Sequence, residues 1–114
     1  MTRVLVCGGR NFDDYDTVKT VLSALHTTRR ITLLIHGGAS GADTLAGQWA
    51  RRHQIPVKVF PADWDTYGKG AGPLRNQQML QQGKPDMVVA FKGGRGTADM
   101  LRRAGEAGLE IMRV

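Results

Sequence analysis

The stretch that decides the fold reads Ile31-Thr32-Leu33-Leu34-Ile35-His36-Gly37-Gly38-Ala39-Ser40-Gly41-Ala42-Asp43. It begins with an apolar run of strand length, continues through a glycine-rich turn, and opens a segment in which apolar residues recur with helical spacing. Glycine lets backbone N–H groups approach a ligand because it has no Cβ atom. A strand, a glycine loop and a helix N-terminus in this order are typical of anion-binding turns in α/β proteins.

The same order occurs twice more in the chain. Gly8-Gly9-Arg10 follows the apolar run Val4–Cys7, and Gly93-Gly94-Arg95-Gly96-Thr97 follows Met87–Phe91. Apolar runs and turn signals predict five strands, over Arg3–Cys7, Ile31–His36, Val57–Phe60, Met87–Phe91 and Glu110–Val114.

Four helices are predicted between these strands. The first has start signals at Asp13–Asp16, and the second begins near Ser40, with Asp43 in capping-box-like spacing. The third runs from about Pro73 to Gln82, and the fourth starts near Thr97 and stops by Gly108.

Strict alternation of strands and helices predicts an α/β fold over a single domain, residues 1–114. We expect a Rossmann-like three-layer α/β/α sandwich with a five-stranded parallel sheet of order 3-2-1-4-5. Ligands bind such sheets at the carboxyl ends of the strands, where the strand order reverses. All three glycine loops follow strands, so they should meet at a crevice between strands one and four.

Composition limits the class of protein further. The chain has 114 residues, 41% of them hydrophobic and 23% charged, which is typical of a globular domain. No apolar stretch has the length of a membrane span. The single cysteine, Cys7, cannot form an intramolecular disulfide, so we expect a cytoplasmic protein in which Cys7 is a buried strand-end residue.

The formal net charge of +6 allows anionic partners, either nucleotides or nucleic acid. The basic residues are dispersed, however. The pairs Arg29-Arg30, Arg51-Arg52 and Arg102-Arg103 lie at or near helix ends, where cations complement the helix dipole. A nucleic-acid partner is therefore an alternative to a nucleotide-type small molecule.

The first and third loops are candidate phosphate sites. In the first, Gly8 and Gly9 would admit a phosphate, and Arg10 would supply a bidentate donor. In the third, Thr97 is predicted as the N-cap of a helix, and this loop is the candidate phosphate cradle. Its candidate ligand-binding residues are Gly93, Gly94, Arg95, Gly96 and Thr97.

The second loop leaves alternatives open. Its glycines Gly37, Gly38 and Gly41 exceed the needs of a turn. Ser40 is predicted either to cap the helix or to bind a phosphate oxygen. Asp43 either complements the helix dipole or contacts a ribose or base.

The segment Pro61–Asn76 contains further candidates. Trp64 either stacks on a nucleobase or fills a small satellite core. Lys69 could add charge, and Arg75 and Asn76 project from the start of the third helix. Gly68-Lys69-Gly70 lacks the spacing of a nucleoside-triphosphate loop, and no Ser or Thr follows the lysine.

The sequence does not support a dinucleotide site, a metal site or a hydrolase nucleophile. No G-x-G-x-x-G motif with a following acidic residue is present, which disfavours ordinary dinucleotide binding. The three histidines lack metal-ligand spacing to acids or cysteine, and Ser40 lacks the context of a hydrolase nucleophile. We predict no metal and no cofactor.

Taken jointly, the three loops and the stretch Gly72-Pro73-Leu74-Arg75-Asn76 with Trp64 resemble the SLOG superfamily of Rossmann-like nucleotide-binding domains. The resemblance is to its small single-domain bacterial and phage branch, related to the YspA and YpsA proteins. The superfamily includes the "lonely guy" phosphoribohydrolases and the DNA-processing protein DprA. The resemblance implies the fold, a nucleotide-derived ligand and a homodimer.

The enzymes of that superfamily carry Pro-Gly-Gly-x-Gly-Thr-x-x-Glu, in which the glutamate acts in glycosidic cleavage. In this chain their proline corresponds to Lys92, and their glutamate corresponds to Met100. Methionine can neither exchange a proton nor stabilise a cationic sugar. The adjacent Asp99 is rotated by about 100° around the helix.

The leading hypothesis is therefore a domain that binds a nucleotide or a nucleotide-derived ligand, such as an ADP-ribose-like compound or a nucleoside monophosphate. The alternative is a nucleotide N-glycosidase, with Arg75 binding phosphate and Asp99 or Asp43 supplying the carboxyl group. A DprA-like nucleic-acid-binding module is the third hypothesis.

Overall fold

The computed structural model describes all 114 residues and contains one five-stranded sheet. The strands are β1 (Thr2–Cys7), β2 (Ile31–His36), β3 (Val57–Val59), β4 (Met87–Ala90) and β5 (Glu110–Arg113). All neighbouring strands pair in parallel, in the order β3-β2-β1-β4-β5. The predicted fold class and strand order are confirmed.

Four long helices connect the strands, and one short helix precedes the third of them. The helices are α1 (Tyr15–Arg29), α2 (Ala42–Arg52), α3 (Trp64–Tyr67), α4 (Ala71–Gly83) and α5 (Arg95–Glu106), and a 3₁₀ turn occupies Gly68–Gly70.

The core lies in two layers, one on each face of the sheet. Successive side chains of a strand point to opposite faces, so Val4 and Val6 of β1 pack in a cluster that includes Trp49 of α2. Leu5 points the other way and packs in a second cluster with Met79 of α4. Helices therefore cover both faces, as the alternating pattern predicts.

Two predicted helix starts are wrong by about two residues. Helix α2 begins at Ala42 after Gly41, and the Ser40 hydroxyl donates to the Arg10 carbonyl (3.3 Å) instead of capping the helix. Helix α5 begins at Arg95, because Gly94 takes the N-cap position that was predicted for Thr97. Thr97 lies in the first helical turn and is buried.

The polar segment before α4 is more ordered than the sequence indicates. Asp63 caps α3 by accepting a hydrogen bond from the Thr66 N–H (3.1 Å). The 3₁₀ turn then leads directly into α4, which begins at Ala71 and so places Pro73 inside its first turn, where proline is tolerated.

No helix of the chain has both the length and the apolar character that a membrane span requires.

Candidate functional site

A crevice of about 910 Å³ opens at the carboxyl ends of β1 and β4. It lies where the strand order reverses, between β1 and β4, at the position predicted from the topology. Most of the candidate residues from the sequence line it. They are Gly8, Gly9, Arg10, Asp43, Trp64, Arg75, Asn76, Gly93, Gly94, Arg95, Gly96, Thr97 and Asp99.

The second glycine loop lies only partly on this crevice. Gly37, Gly38 and Ser40 line a separate cavity of about 300 Å³, which we call the side hollow. Gly41 lines neither cavity. All three loops therefore contribute to the crevice, the second through Ala39 and Asp43, while the three glycines of the second loop lie outside it. Four residues line both cavities and mark where they meet, namely Arg10, Ala39, Trp64 and Arg75.

Close packing explains several of the glycines. The Gly9 N–H donates to the Lys92 carbonyl (2.9 Å), which joins the first loop to the third. A Cβ atom on Gly93 would overlap Thr97 Oγ1 and lie 2.8 Å from the Gly9 nitrogen. Gly94 and Gly96, in contrast, have open space where a Cβ atom would lie. The third loop thus combines one glycine that packs the loops together with two that leave the crevice open.

The N-terminus of α5 is open to the crevice. No side chain caps it, and the first helical bond runs from the Ala98 N–H to the Gly94 carbonyl (3.0 Å). The N–H groups of Arg95, Gly96 and Thr97 precede that bond and belong to the unpaired first turn of the helix. Such groups, together with the helix dipole, favour an anion.

In the second loop a carboxylate of the protein accepts backbone N–H groups that precede α2. Asp43 Oδ2 accepts hydrogen bonds from the N–H groups of Gly37 (2.9 Å) and Ala39 (3.3 Å). The carboxylate therefore fills the anion position of this loop. Both bonds end on Oδ2, and Oδ1 has no hydrogen-bond partner in the protein.

The surroundings of Asp43 affect its ionisation in opposing ways. Burial raises the pKa of this carboxyl group above its usual value, and it outweighs the two backbone hydrogen bonds and the nearby charges of Arg75 and Arg10, which lower it. Burial therefore disfavours the charged form of Asp43, and ionisable groups with such shifted pKa values are frequent in functional sites.

Replacing Asp43 by asparagine tests this charge. Because the folded-state pKa is raised, the carboxyl group favours folding at low pH, and this contribution is lost as the pH rises through the raised value. The free energy of unfolding of Asp43→Asn, minus that of the unmodified protein, should therefore increase from pH 4 to pH 7. Urea unfolding across this range measures the difference, and a difference that is constant or falls would contradict the assignment.

Asn76 and Asp99 form a clamp between α4 and α5. Asn76 Nδ2 donates to Asp99 Oδ2 (3.0 Å) and to the Gly96 carbonyl (3.2 Å), and Arg102 and Arg103 also donate to Asp99. Partial burial raises the pKa of Asp99, but these hydrogen bonds outweigh it, so the pKa is lowered overall. Asp99 is thus held as a carboxylate by its neighbours.

Arg75 connects α4 to the second loop. Its Nη1 donates to the Gly37 carbonyl (2.5 Å), and its Nε donates to Asn76 Oδ1 (3.1 Å). Burial lowers the pKa of this guanidinium, although the charge of Asp43 opposes that effect. Arg75 is therefore a fixed positive group at the boundary of the two cavities.

Trp64 is not a core residue, since 46% of it is exposed. A Cβ atom on Gly72 would lie 3.2 Å from its indole ring, and the Arg10 guanidinium lies 5.1 Å from its ring centroid. The Trp64 ring thus forms part of the crevice wall, and the Arg10 guanidinium lies over one of its faces. The prediction that Trp64 fills a small satellite core is wrong, because nearly half of the residue is exposed.

Cations without carboxylate partners surround the crevice. Arg10, Lys69, Lys92 and Arg95 all line it, and none of them belongs to an ion pair of the protein. Unpaired cations gathered in a concave site attract anions, because low-dielectric walls concentrate their field.

Sequence reasoning missed part of the crevice wall. Asn11, Asp13 and Asp14 line it, as do Pro73 and Met79. The first three directly follow Gly8-Gly9-Arg10, so the argument that places that loop at the edge of the sheet could have included them. No sequence signal marks Met79 as a crevice residue. It lies in α4 and packs in an apolar cluster, so its position is typical of a core residue.

His36 and Cys7 lie at strand ends beneath the site. His36 Nδ1 accepts the Gly38 N–H (2.9 Å), while its buried Nε2 has no partner and faces Gly47 of α2. Burial, with smaller contributions from the charges of Arg51 and Arg75, lowers the pKa of His36 to about 4. Cys7 is buried as predicted, and burial raises its pKa to about 12.

Met100 belongs to the core. Its exposed fraction is 0%, and it packs in the apolar cluster that includes Leu5, Val88 and Ala104. Position 100, where the sequence resemblance predicted the counterpart of a catalytic glutamate, is therefore occupied by a packing residue.

The sheet order and the crevice at its switch point define a Rossmann-like α/β domain. The chain belongs to the YspA, cpYpsA-related SLOG family, whose model matches residues 2–67. It is 38% identical over 120 residues to the Gene 61 protein of Mycobacterium phage D29, an alignment that covers 98% of this chain and 95% of that protein.

A likeness to a solved structure agrees with this fold. DNA processing protein A (DprA) from Streptococcus pneumoniae matches with a TM-score of 0.80 at 18% identity. The match covers 99% of this chain and 50% of the DprA chain, so this chain spans half the length of that protein. At this identity the likeness shows the fold alone.

Proposed function

We propose that the crevice binds a nucleotide or a nucleotide-derived ligand, such as an ADP-ribose-like compound or a nucleoside monophosphate. One observation carries the proposal: an uncapped helix N-terminus and four unpaired cations surround one cavity of about 910 Å³. That volume lies within the range of small-molecule sites, roughly 300 to 1,000 Å³.

The phosphate group would bind at the N-terminus of α5. The N–H groups of its first turn are free of side-chain caps, Gly94 and Gly96 leave space for close approach, and the exposed Lys92 and Arg95 supply charge. The second loop is the weaker candidate because Asp43 already accepts the N–H groups of Gly37 and Ala39.

The sugar and base would extend from this phosphate towards α2 and α3. Asp43 Oδ1 is available to accept a hydrogen bond from a ribose hydroxyl, since both of its protein bonds end on Oδ2. The half-exposed Trp64 ring offers a face for a base, either beside Arg10 or in its place.

Replacing Arg95 by glutamate should weaken nucleotide binding by at least about tenfold, because it reverses a charge beside the phosphate. Arg95 is exposed and unpaired, so the fold should not change. Calorimetry with AMP and ADP-ribose measures the affinities. Lys19→Glu, the same type of change on the exposed side of α1, is the matched control. No binding of any phosphorylated nucleotide at about 1 mM would reject the proposal.

The crevice-facing Asp43 supports a second candidate, a nucleotide N-glycosidase. A carboxyl group whose pKa is raised by burial is suited to proton donation, whereas Asp99 is held as a carboxylate. Free base should then be released from a nucleoside monophosphate and should not be released by Asp43→Asn. Activity that survives in both Asp43→Asn and Asp99→Asn would reject these roles.

A nucleic-acid ligand is a third candidate, supported by the net charge of +6 and the half-exposed Trp64 and Tyr67. Oligonucleotide affinity should then fall steeply with salt concentration, because bound cations release counterions from the phosphates. Affinity that does not depend on salt would reject this candidate.

A further inference from the structure

The side hollow differs from the main crevice in its charge. It is lined by residues 37–40 of the second glycine loop, by Pro61, Ala62 and Trp64, and by two arginines, Arg10 and Arg75. No acidic residue lines it, and the nearby Asp43 carboxylate is occupied by the N–H groups of Gly37 and Ala39. The main crevice, in contrast, also contains Asp13, Asp14, Asp43 and Asp99. The side hollow is therefore the cavity whose charged lining residues are all positive.

The Arg75 guanidinium is held by hydrogen bonds and still has a nitrogen that donates to no protein group. Arg75 Nη1 donates to the Gly37 carbonyl and Nε donates to Asn76, which leaves Nη2 without a protein partner. The backbone of Arg10 is also anchored, because its carbonyl accepts the Ser40 hydroxyl (3.3 Å). Guanidinium groups with free N–H donors are typical phosphate ligands.

Exposed side chains lie at the boundary between the two cavities. Arg10 and Trp64 line both cavities, are exposed, and contact each other only through a cation–π interaction, with 5.1 Å between the guanidinium carbon and the ring centroid. A ligand group that takes the place of Arg10 on the ring would connect the main crevice to the side hollow.

We infer that the ligand carries two separated phosphate groups, one at the N-terminus of α5 and the other in the side hollow between Arg10 and Arg75. This inference rests on the proposed function and specifies the class of nucleotide. Two compounds have this chemistry: a nucleoside bisphosphate with phosphates on opposite sides of the ribose, and a dinucleotide with a terminal phosphate.

A comparison of isomeric nucleotides separates the effect of phosphate placement on affinity from the effect of total charge. Adenosine 3′,5′-bisphosphate and ADP each carry two phosphate groups on one adenosine, but only the first holds them apart. We expect either the 3′,5′-bisphosphate or the dinucleotide pApA to bind at least about tenfold more tightly than ADP, as one additional charge-assisted contact would give. Calorimetry with these three compounds and AMP measures the difference, and the compound with the advantage identifies the source of the second phosphate.

Substitutions at Ala62 locate the second phosphate. Ala62 lines the side hollow but not the main crevice. Ala62→Asp should remove the tenfold advantage and leave AMP binding unchanged, whereas Ala62→Lys should preserve or increase the advantage. Thr20→Asp, the same charge change on the exposed surface of α1, should have no effect.

The outcomes distinguish this inference from the proposed function. If AMP binds and neither separated-phosphate compound exceeds ADP, the inference is wrong while the proposed function stands. If the advantage persists in Ala62→Asp, the second phosphate does not bind in the side hollow. If none of the four compounds binds, the proposed function itself is rejected, and the inference with it.

Discussion

Replacing Gly41 by alanine is expected to lower the free energy of unfolding by roughly 3 to 5 kcal/mol. Gly41 has a φ of +79°, in the left-handed region that disfavours residues with a Cβ atom. Its Cβ atom would also overlap the Gly9 carbonyl oxygen and lie 2.6 Å from the Arg10 carbonyl carbon. These are backbone atoms, so no side-chain rotation can relieve the contact, and the first loop must move away from the second.

Substitutions at two other glycines separate the two causes of this loss of stability, which are backbone strain and steric overlap of the added Cβ atom. Gly108 also has a positive φ (+73°) but open space around its Cβ position, so Gly108→Ala reports strain alone, about 1 to 2 kcal/mol. Gly105 lies in α5 with neither strain nor contacts, and Gly105→Ala should stabilise the protein by up to about 1 kcal/mol. Thermal and urea unfolding measure all three. A Gly41→Ala variant no less stable than Gly108→Ala would contradict the packing of the two loops.

The second large effect is a loss of stability at low pH caused by His36. Burial lowers the folded-state pKa of His36 from 6.5 to about 4, so the neutral ring favours folding above pH 6.5. That contribution is lost as the pH falls from 6.5 through 4, because the unfolded chain binds the proton first. A tenfold difference in proton affinity between the folded and unfolded chains corresponds to about 1.4 kcal/mol, so the loss is roughly 2 to 3 kcal/mol.

His36→Asn is the matched variant, because its side-chain oxygen can accept the Gly38 N–H in place of Nδ1. The variant has no group that titrates in this range at position 36. The free energy of unfolding of the unmodified protein should therefore fall more steeply between pH 6.5 and 4 than that of the variant. Parallel curves would show that the His36 ring is not held neutral by the fold.

The fold was predictable because its signals are local and repeated. Three of the five strands end in glycine-rich turns, and parallel strands joined by helices place those turns at the same edge of the sheet. The crevice between β1 and β4 follows from that topology. The first and third loops line it for the same reason.

The interior of the site depends on contacts between distant residues, which no local pattern encodes. Arg75 lies 38 residues from Gly37, to which it donates. Asp43 was predicted from its place in the first helical turn, but its carboxylate turns back to the loop and accepts two N–H groups there. Thr97 was predicted as an N-cap because its side chain suits that position, whereas Gly94 takes it and the helix starts at Arg95.

The packing of Met100 limits which residues position 100 of this chain can accept. A glutamate at that position would enter the apolar cluster as a buried carboxyl group without a partner, at a cost of several kcal/mol. For a domain whose total stability is of the order of 5 to 15 kcal/mol, such a step would remove a large share of that stability. A single Met100→Glu substitution is therefore expected to persist in this chain only after compensating changes in the surrounding core.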